Sequence, residues 1–591
     1  MRLKSLRLGI TALGVIAMAA SPLHAMAAGP VSEDLFGAKG FDGEDNNALP
    51  DLLNPDGTPT IGDAAGGGQG LLGHGRDVQV NDPALDNIQS FPNALPQPQR
   101  PYEFSIQSET SIATFGNDVV VGFNNSADQP VTLTAANTVA FTHRFLSGVG
   151  VSHDGGRSWT ESSLPPIPGS PFTFGDPSLA VDRQGNFYYS SLGANAAGQS
   201  LIFVGKTTDR GRTFQPGSTV AIDPGSDKEW IAVGKDPQVP TRDNVYVTWT
   251  SFKANSSQLM LGKSTDGGQT WTVSTVFAPV DDGVESAFLQ FSNPVVDQRT
   301  GRLFIPFLHG GDSDADFIKV LISDDGGQTF HFSTFNVPGA ADPTAFPNVT
   351  PGTGTDCGVA GGIRLTLHQG ADLGGGRGGF PVFRQATRLI TQPNAVVANG
   401  RLFLVLNSST SATVGDPNSM SFIQVLVSLD GGGSWQGPFT VAAASAAQPQ
   451  HVHPSISVDR GGQQVTVGYY TQLANGKIRF DATTAELERD HGKTRLTDKR
   501  SASLGPAFDL IPSNNPLPAA QFGANRATNY DRTIQACYDL GEYTTAARIG
   551  DDRTIFAWGD NRNTWTGPAG SIAPGVHTQP DVFATRAHTD D

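Results

Sequence analysis

Apolar residues in this chain come in short alternating or continuous runs, with no window that repeats them at the 3.6-residue spacing of a helix. VVVGF (Val119–Phe123), FYYSSL (Phe187–Leu192), NVYVTW (Asn244–Trp249) and RLFIPF (Arg302–Phe307) are typical, and RLFLVL (Arg401–Leu406), QVTVGYY (Gln464–Tyr470) and RTIFAW (Arg553–Trp558) continue the series. Runs of this length, rich in β-branched and aromatic residues, predict strands buried on one or both faces. Gly 70 and Pro 40 together supply about a fifth of the 591 residues, which places tight turns between the strands. The pattern predicts an all-β protein.

Five related phrases fall between such runs: SHDGGRSW (Ser152–Trp159), TTDRGRTF (Thr207–Phe214), STDGGQTW (Ser264–Trp271), SDDGGQTF (Ser323–Phe330) and SLDGGGSW (Ser428–Trp435). Each predicts a hairpin connection. Its acid (Asp154, Asp209, Asp266, Asp325 or Asp430) is placed to accept turn amides, its glycine supplies a positive φ, and its aromatic residue folds back over the turn. These residues resemble the Asp-box, or bacterial neuraminidase repeat (BNR), Ser-x-Asp-x-Gly-x-Thr-Trp. The resemblance implies a sialidase-like β-propeller in which each box joins the third and fourth strands of a blade. It also implies a glycan-directed role of exo-glycosidase type. The family includes receptor ectodomains and assembly factors too, so a non-catalytic extracellular or cell-envelope binding propeller is the alternative.

A second repeat counts the blades. Extended segments with a polar residue at the start begin at Glu109, Asp176, Lys228, Asn293, Gln392, His453 and Glu542. Seven starts predict seven four-stranded blades, or six if the segment at His453 is not a separate one. The last visible strand, Asp581–Ala587, leaves the final blade one strand short, and Arg76–Asp82 is the run available to close the ring.

Propeller geometry gathers the starts of the innermost strands on one rim and the boxes on the other. The first rim then holds Glu109, Asp176, Lys228, Glu229, Gln392, His453, Glu542 and Tyr543, with Asn124 and Arg562 added by loops, as a mostly acidic funnel for a ligand. The sialidase resemblance implies an arginine cluster for a carboxylate, a Tyr nucleophile paired with Glu, and an Asp acid/base. Asp176, Glu542 and Tyr543 are the catalytic candidates, although Glu542 and Tyr543, as strand neighbours, are predicted to point to opposite faces. The family's Phe/Tyr-Arg-Ile/Leu-Pro motif does not occur before the first box, where Arg100 and Arg144 stand. Asp312, Asp314 and Asp316 in HGGDSDAD are spaced like a calcium loop without its terminal Glu, so a structural divalent cation such as calcium is the one cofactor candidate and none is required. His451 and His453, two apart on an extended segment, are expected to point the same way.

Composition and charge add the setting. Residues 1–27 read as a signal peptide, with Arg2, Lys4 and Arg7, an apolar run from Leu8 to Ala20, and Ala25-Met26-Ala27 as the cleavage site. Export to the extracellular space or periplasm is therefore expected, followed by a flexible Gly/Pro-rich leader over 28–75 and the propeller over 76–591. A net charge of −17 argues against nucleic acid as a partner, and a carbohydrate or glycoconjugate is the partner that the sialidase resemblance implies. No later run is long enough to span a bilayer, and a monomer is expected. Two insertions, near 338–391 and 511–539, carry Arg364, Arg384, Arg388, Arg526 and Arg532. Arg364 and Arg532 join the ligand-binding candidates. Each insertion also holds one of the two cysteines, Cys357 and Cys537, and placement on the same rim of an exported protein predicts a disulfide.

Overall fold

A computed structural model describes residues 73–85, 107–128, 131–133, 139–141, 143–311, 316–335, 337, 342–348, 368–369, 381–382, 392–410, 420–475, 477–508, 543–550, 552–567 and 575–588. The signal segment and all but the last residues of the leader lie outside the described residues, and so do most residues of the two insertions. Among the described residues one helical turn, Pro83–Leu85, interrupts an otherwise all-β chain.

Antiparallel strands follow one another from the inside outward in four four-stranded sheets. Ser226–Lys235, Asp243–Phe252, Ser257–Ser264 and Thr272–Phe277 make the first. Asn394–Ala398 to Gln436–Ala442 and Gln450–Val458 to Lys493–Ser503 make two more, and the last combines Thr545–Ile549, Arg553–Gly567 and Gly575–His588 with Val78–Gln79. A fifth blade, around Leu303–Gly311, keeps this order with its first strand broken into Glu285–Gln290 and Val295–Val296. The largest sheet has eight strands, in which Arg144 and Phe145 pair in parallel with Phe172 and Thr173, and two short two-stranded sheets, Val131–Leu133 with Val139–Phe141 and His368–Gln369 with Pro381–Val382, stand apart from the blades. The innermost strands neighbour one another in chain order, and Gln107–Phe115 packs back against Thr545–Ile549. This closed ring of radial sheets is a β-propeller.

Apolar clusters fill the spaces between neighbouring sheets. Tyr470 and Phe480 on one sheet meet Phe556, Trp558 and Phe583 on the next, with Phe480 and Trp558 stacked at 4.9 Å. Small polar side chains near the channel fasten the innermost strands, because a buried amide needs an acceptor. Ser111 Oγ accepts the Leu179 amide (2.9 Å), Ser178 Oγ the Ile231 amide (3.0 Å), Asn293 Oδ1 the Ala395 amide (2.8 Å) and Thr545 Oγ1 the Ile112 amide (2.7 Å).

The run expected to close the ring does so: Val78 and Gln79 pair with Ala584 and Phe583. Pairing begins ahead of the expected boundary at residue 76, since the His588 amide donates to Gly73 O (2.7 Å) and the Gly75 amide to Arg586 O (2.8 Å). The edge of the last strand offers unpaired backbone groups that capture this otherwise Gly-rich stretch.

The five repeated phrases are the turns between third and fourth strands. At Ser264–Trp271 the Asp266 carboxylate accepts the amides of Gln269 and Thr270 (both 3.0 Å) and the Thr270 hydroxyl (2.6 Å). Gly267 and Gly268 take φ of 75° and 86°, and Arg210 takes 66° where the second phrase lacks the first glycine. Trp271 Nε1 donates to Ser218 Oγ (3.0 Å) on the preceding blade, so the ring clasps two blades together. Burial acts to raise the Asp325 carboxyl, yet hydroxyls of Thr329 and Ser323 and amides of Thr329 and Gln328 hold it at about 2. Replacing Asp266 or Trp271 with alanine is expected to lower stability by about 1 to 3 kcal/mol and to leave ligand affinity unchanged, as thermal melts paired with binding titrations will show.

Candidate functional site

Four innermost strands shift register near the channel mouth, and a non-glycine residue sits in the bulge with left-handed backbone: Glu109 (φ 49°), Asp176 (54°), Lys228 (53°) and His453 (50°). Each such conformation costs about 1 kcal/mol or more and re-aims the side chain. In the blade where Asn293 was expected at this place the left-handed residue is Phe291 (59°), which is buried in an apolar cluster. Asn293, two residues on, fastens the next blade instead.

The bulges bring three of the predicted residues together. Lys228 Nζ lies 3.4 Å from Glu109 Oε1 and 3.3 Å from the Asp176 carboxylate. The Asn124 side chain spans the same two acids, donating to Glu109 Oε2 (2.8 Å) and accepting the Asp176 amide (2.9 Å). Tyr543 enters from the last blade, its ring 5.6 Å from the Lys228 ammonium and edge-on to Trp230 at 4.8 Å. Side-chain exposure is 5% for Lys228, 4% for Glu109 and 13% for Asp176, so Asp176 is the most open of the three.

Glu229, beside Lys228, is 1% exposed, and its oxygens make no hydrogen bond to another residue. Burial, then the charge of Asp176, pushes its carboxyl well above the usual range, so it holds its proton. Burial, then Glu109, Asp176 and Glu229, likewise raises the Tyr543 phenol, whose hydroxyl donates to Pro177 O (3.0 Å). The phenol is thus held protonated and turned toward a backbone carbonyl, which opposes a nucleophilic role.

Other predicted residues go elsewhere. Arg562 pairs with Asp560 and Asp77 and stacks on Phe583 at 3.9 Å, fastening the two ends of the chain. His451 and His453 diverge, edge-on to Tyr469 (5.3 Å) and Tyr470 (5.9 Å) respectively, because the left-handed bulge at His453 breaks the alternation of the strand. Gln392 is buried at the same rim. Glu542, Arg364, Arg532, Asp312, Asp314, Cys357 and Cys537 lie outside the described residues, and Asp316 is described only as the backbone start of a strand. Among the described residues no group of three or more His, Cys, Asp or Glu is placed to hold a metal ion. Trp230 was missed by sequence reading, where a tryptophan inside a strand signals only core.

No protein-family model and no curated protein matches the chain. Among solved structures it is similar to a protein of unknown function from Dyadobacter fermentans, at 12% identity and TM-score 0.36, covering 72% of this chain and 97% of that one. It is also similar to the Hadza microbial sialidase Hz136, at 12% identity and TM-score 0.33, covering 75% of each chain. A third likeness is to phage phi92 endosialidase, at 9% identity and TM-score 0.38, covering 86% and 69%. None of these scores reaches 0.5, so the propeller rests on the strand order itself.

Proposed function

We propose that this chain is an exported, seven-bladed propeller of sialidase-like type whose channel mouth takes a glycan. The eight-stranded sheet divides at its short parallel pairing into two four-stranded units, each with an Asp-box turn, which join the five separate blades to make seven. The observation that carries the functional reading is the carboxylate–lysine cluster of Glu109, Asp176 and Lys228, assembled from three blades on strained backbone. Asp176, the most open acid, is the group that meets the sugar, with protonated Glu229 behind it as the partner acid of a glycosidase pair. No resident cofactor enters this reading.

A second reading is a non-catalytic glycan-binding propeller, favoured by the engagement of the Tyr543 hydroxyl with Pro177 O. Incubating the full exported protein with sialosides, neutral oligosaccharides and acidic polysaccharides separates the two. Turnover that Asp176→Asn abolishes, while circular dichroism shows the variant still folded at the assay temperature, supports the enzyme. Binding without turnover, again lost in Asp176→Asn, supports the module. Neither turnover nor binding overturns both.

A further inference from the structure

Further round the same rim the chemistry changes from charged to amide. In the blades that begin at Gln392 and Gln450, the Gln392 and Gln472 side chains are 2% and 1% exposed, and neither end of either amide makes a hydrogen bond. Gln450 stands opposite Gln472 in the strand pair, and the Asn407 amide donates to His451 O (2.9 Å) close by. Gln392 precedes Asn394 by two residues, and Asn394 Nδ2 reaches Pro454 O (2.7 Å) on the adjoining blade. This sector meets the carboxylate cluster through the last blade: the Thr544 hydroxyl donates to His453 O (3.1 Å), and the next residue, Tyr543, touches Lys228 and Trp230.

A primary amide offers one acceptor and two donors in a plane, which matches two neighbouring hydroxyls that each donate and accept. Buried and unpaired, it is a standing loss to the folded state, and native proteins keep few such groups. Two of them in one sector call for a ligand that satisfies them. Its charged groups, Arg479 and Asp481, are paired with each other (2.8 Å), and burial, with a smaller contribution from the Arg479 charge, holds the His451 imidazole down at about 4. Hydroxyls suit it better than a carboxylate or phosphate.

We propose that Gln392 and Gln472 line a subsite for a neutral sugar unit, pairing with adjacent hydroxyls of a glycan whose neighbouring unit lies over Glu109, Asp176 and Lys228. This deepens the glycan reading and rests on it. The two amides therefore trade stability for recognition, and leucine, of similar volume, exposes the trade.

The experiment compares the full exported protein with Gln392→Leu, Gln472→Leu and the double variant, by thermal melts and by calorimetric titration with arabino-, manno- and gluco-configured hexasaccharides and with sialyllactose. The expected result is a melting temperature raised by a few degrees in the double variant, with affinity for a neutral hexasaccharide reduced about tenfold or more. A lowered melting temperature, or unchanged affinity, overturns the subsite. If Asp176→Asn still abolishes glycan binding in that case, the glycan reading stands without it. A wild-type protein that binds no member of the panel removes the glycan reading and the subsite together.

Discussion

Lys228→Met is expected to destabilise the protein by about 3 to 5 kcal/mol at pH 7, the usual cost of removing one partner from a buried ion cluster. The ammonium stands 3.4 Å from Glu109 and 3.3 Å from Asp176, with side chains 4% and 13% exposed, so both acids lose their counter-charge where water cannot replace it. Adding Glu109→Gln and Asp176→Asn to the variant should restore most of the loss, because the penalty lies in the uncompensated charges and not in the missing stem. The pH dependence follows from Glu229, whose carboxyl is raised by burial and by Asp176 and is held down in part by Lys228. A group whose folded value is raised contributes fully below its unfolded value, near pH 4, and that contribution is lost as pH rises through the folded value. Without Lys228 the folded value moves higher still, so the part of the deficit that Glu229 causes should be absent at pH 4 and open only at alkaline pH, once the wild-type carboxyl has itself lost its proton. Urea unfolding at pH 4 and at alkaline pH checks this, and equal deficits at both would place the role of Lys228 outside the cluster.

Much of the architecture was legible because it repeats. The Ser-x-Asp turns announce themselves by residue type, and a seventh set of strands lacking one member pointed to Arg76–Asp82, where Val78 and Gln79 in fact pair with the last strand. The meeting of Glu109, Asp176 and Lys228 was legible as far as their matched positions allowed. That one ammonium bridges both acids depends on bulges whose left-handed residues no periodicity reveals, and the same ignorance of bulges misplaced Asn293 against Phe291 and sent His451 and His453 the same way. Alternation assumes an unbroken strand, and these strands are broken at the rim. Tyr543 illustrates a different gap: its neighbours in space, Trp230 and Pro177, come from blades that precede it by more than 300 residues.

Arg562→Ala tests whether that residue serves a ligand, as its rim position suggested, or the closure of the ring, and the expected result is a loss of about 3 to 5 kcal/mol with no change in glycan affinity. Its guanidinium joins Asp560, at the end of a buried run, to Asp77 beside the closing strand Val78–Gln79, while its face covers Phe583. Asn563 supports the same junction, donating to Gln79 Oε1 (3.0 Å) and Asp581. Truncation leaves Asp560, which is fully buried, with the Trp558 indole (3.2 Å) and one backbone amide (3.0 Å) as hydrogen-bond donors. Burial already raises the Asp560 carboxyl despite the guanidinium, so its favourable contribution is present below the unfolded value near 4 and is lost as pH rises through the folded one. Removing Arg562 moves that folded value upward, so the variant should approach wild-type stability in acid and fall away from it toward neutrality. A propeller joins its first and last blades through such a fastening, so the damage should appear first at the seam. Hydrogen exchange in the variant should quicken at Val80, whose amide donates to Val582 O (2.7 Å), before it quickens in the Phe480–Trp558 core. Unchanged exchange at the seam, together with lost glycan affinity, would return Arg562 to the ligand.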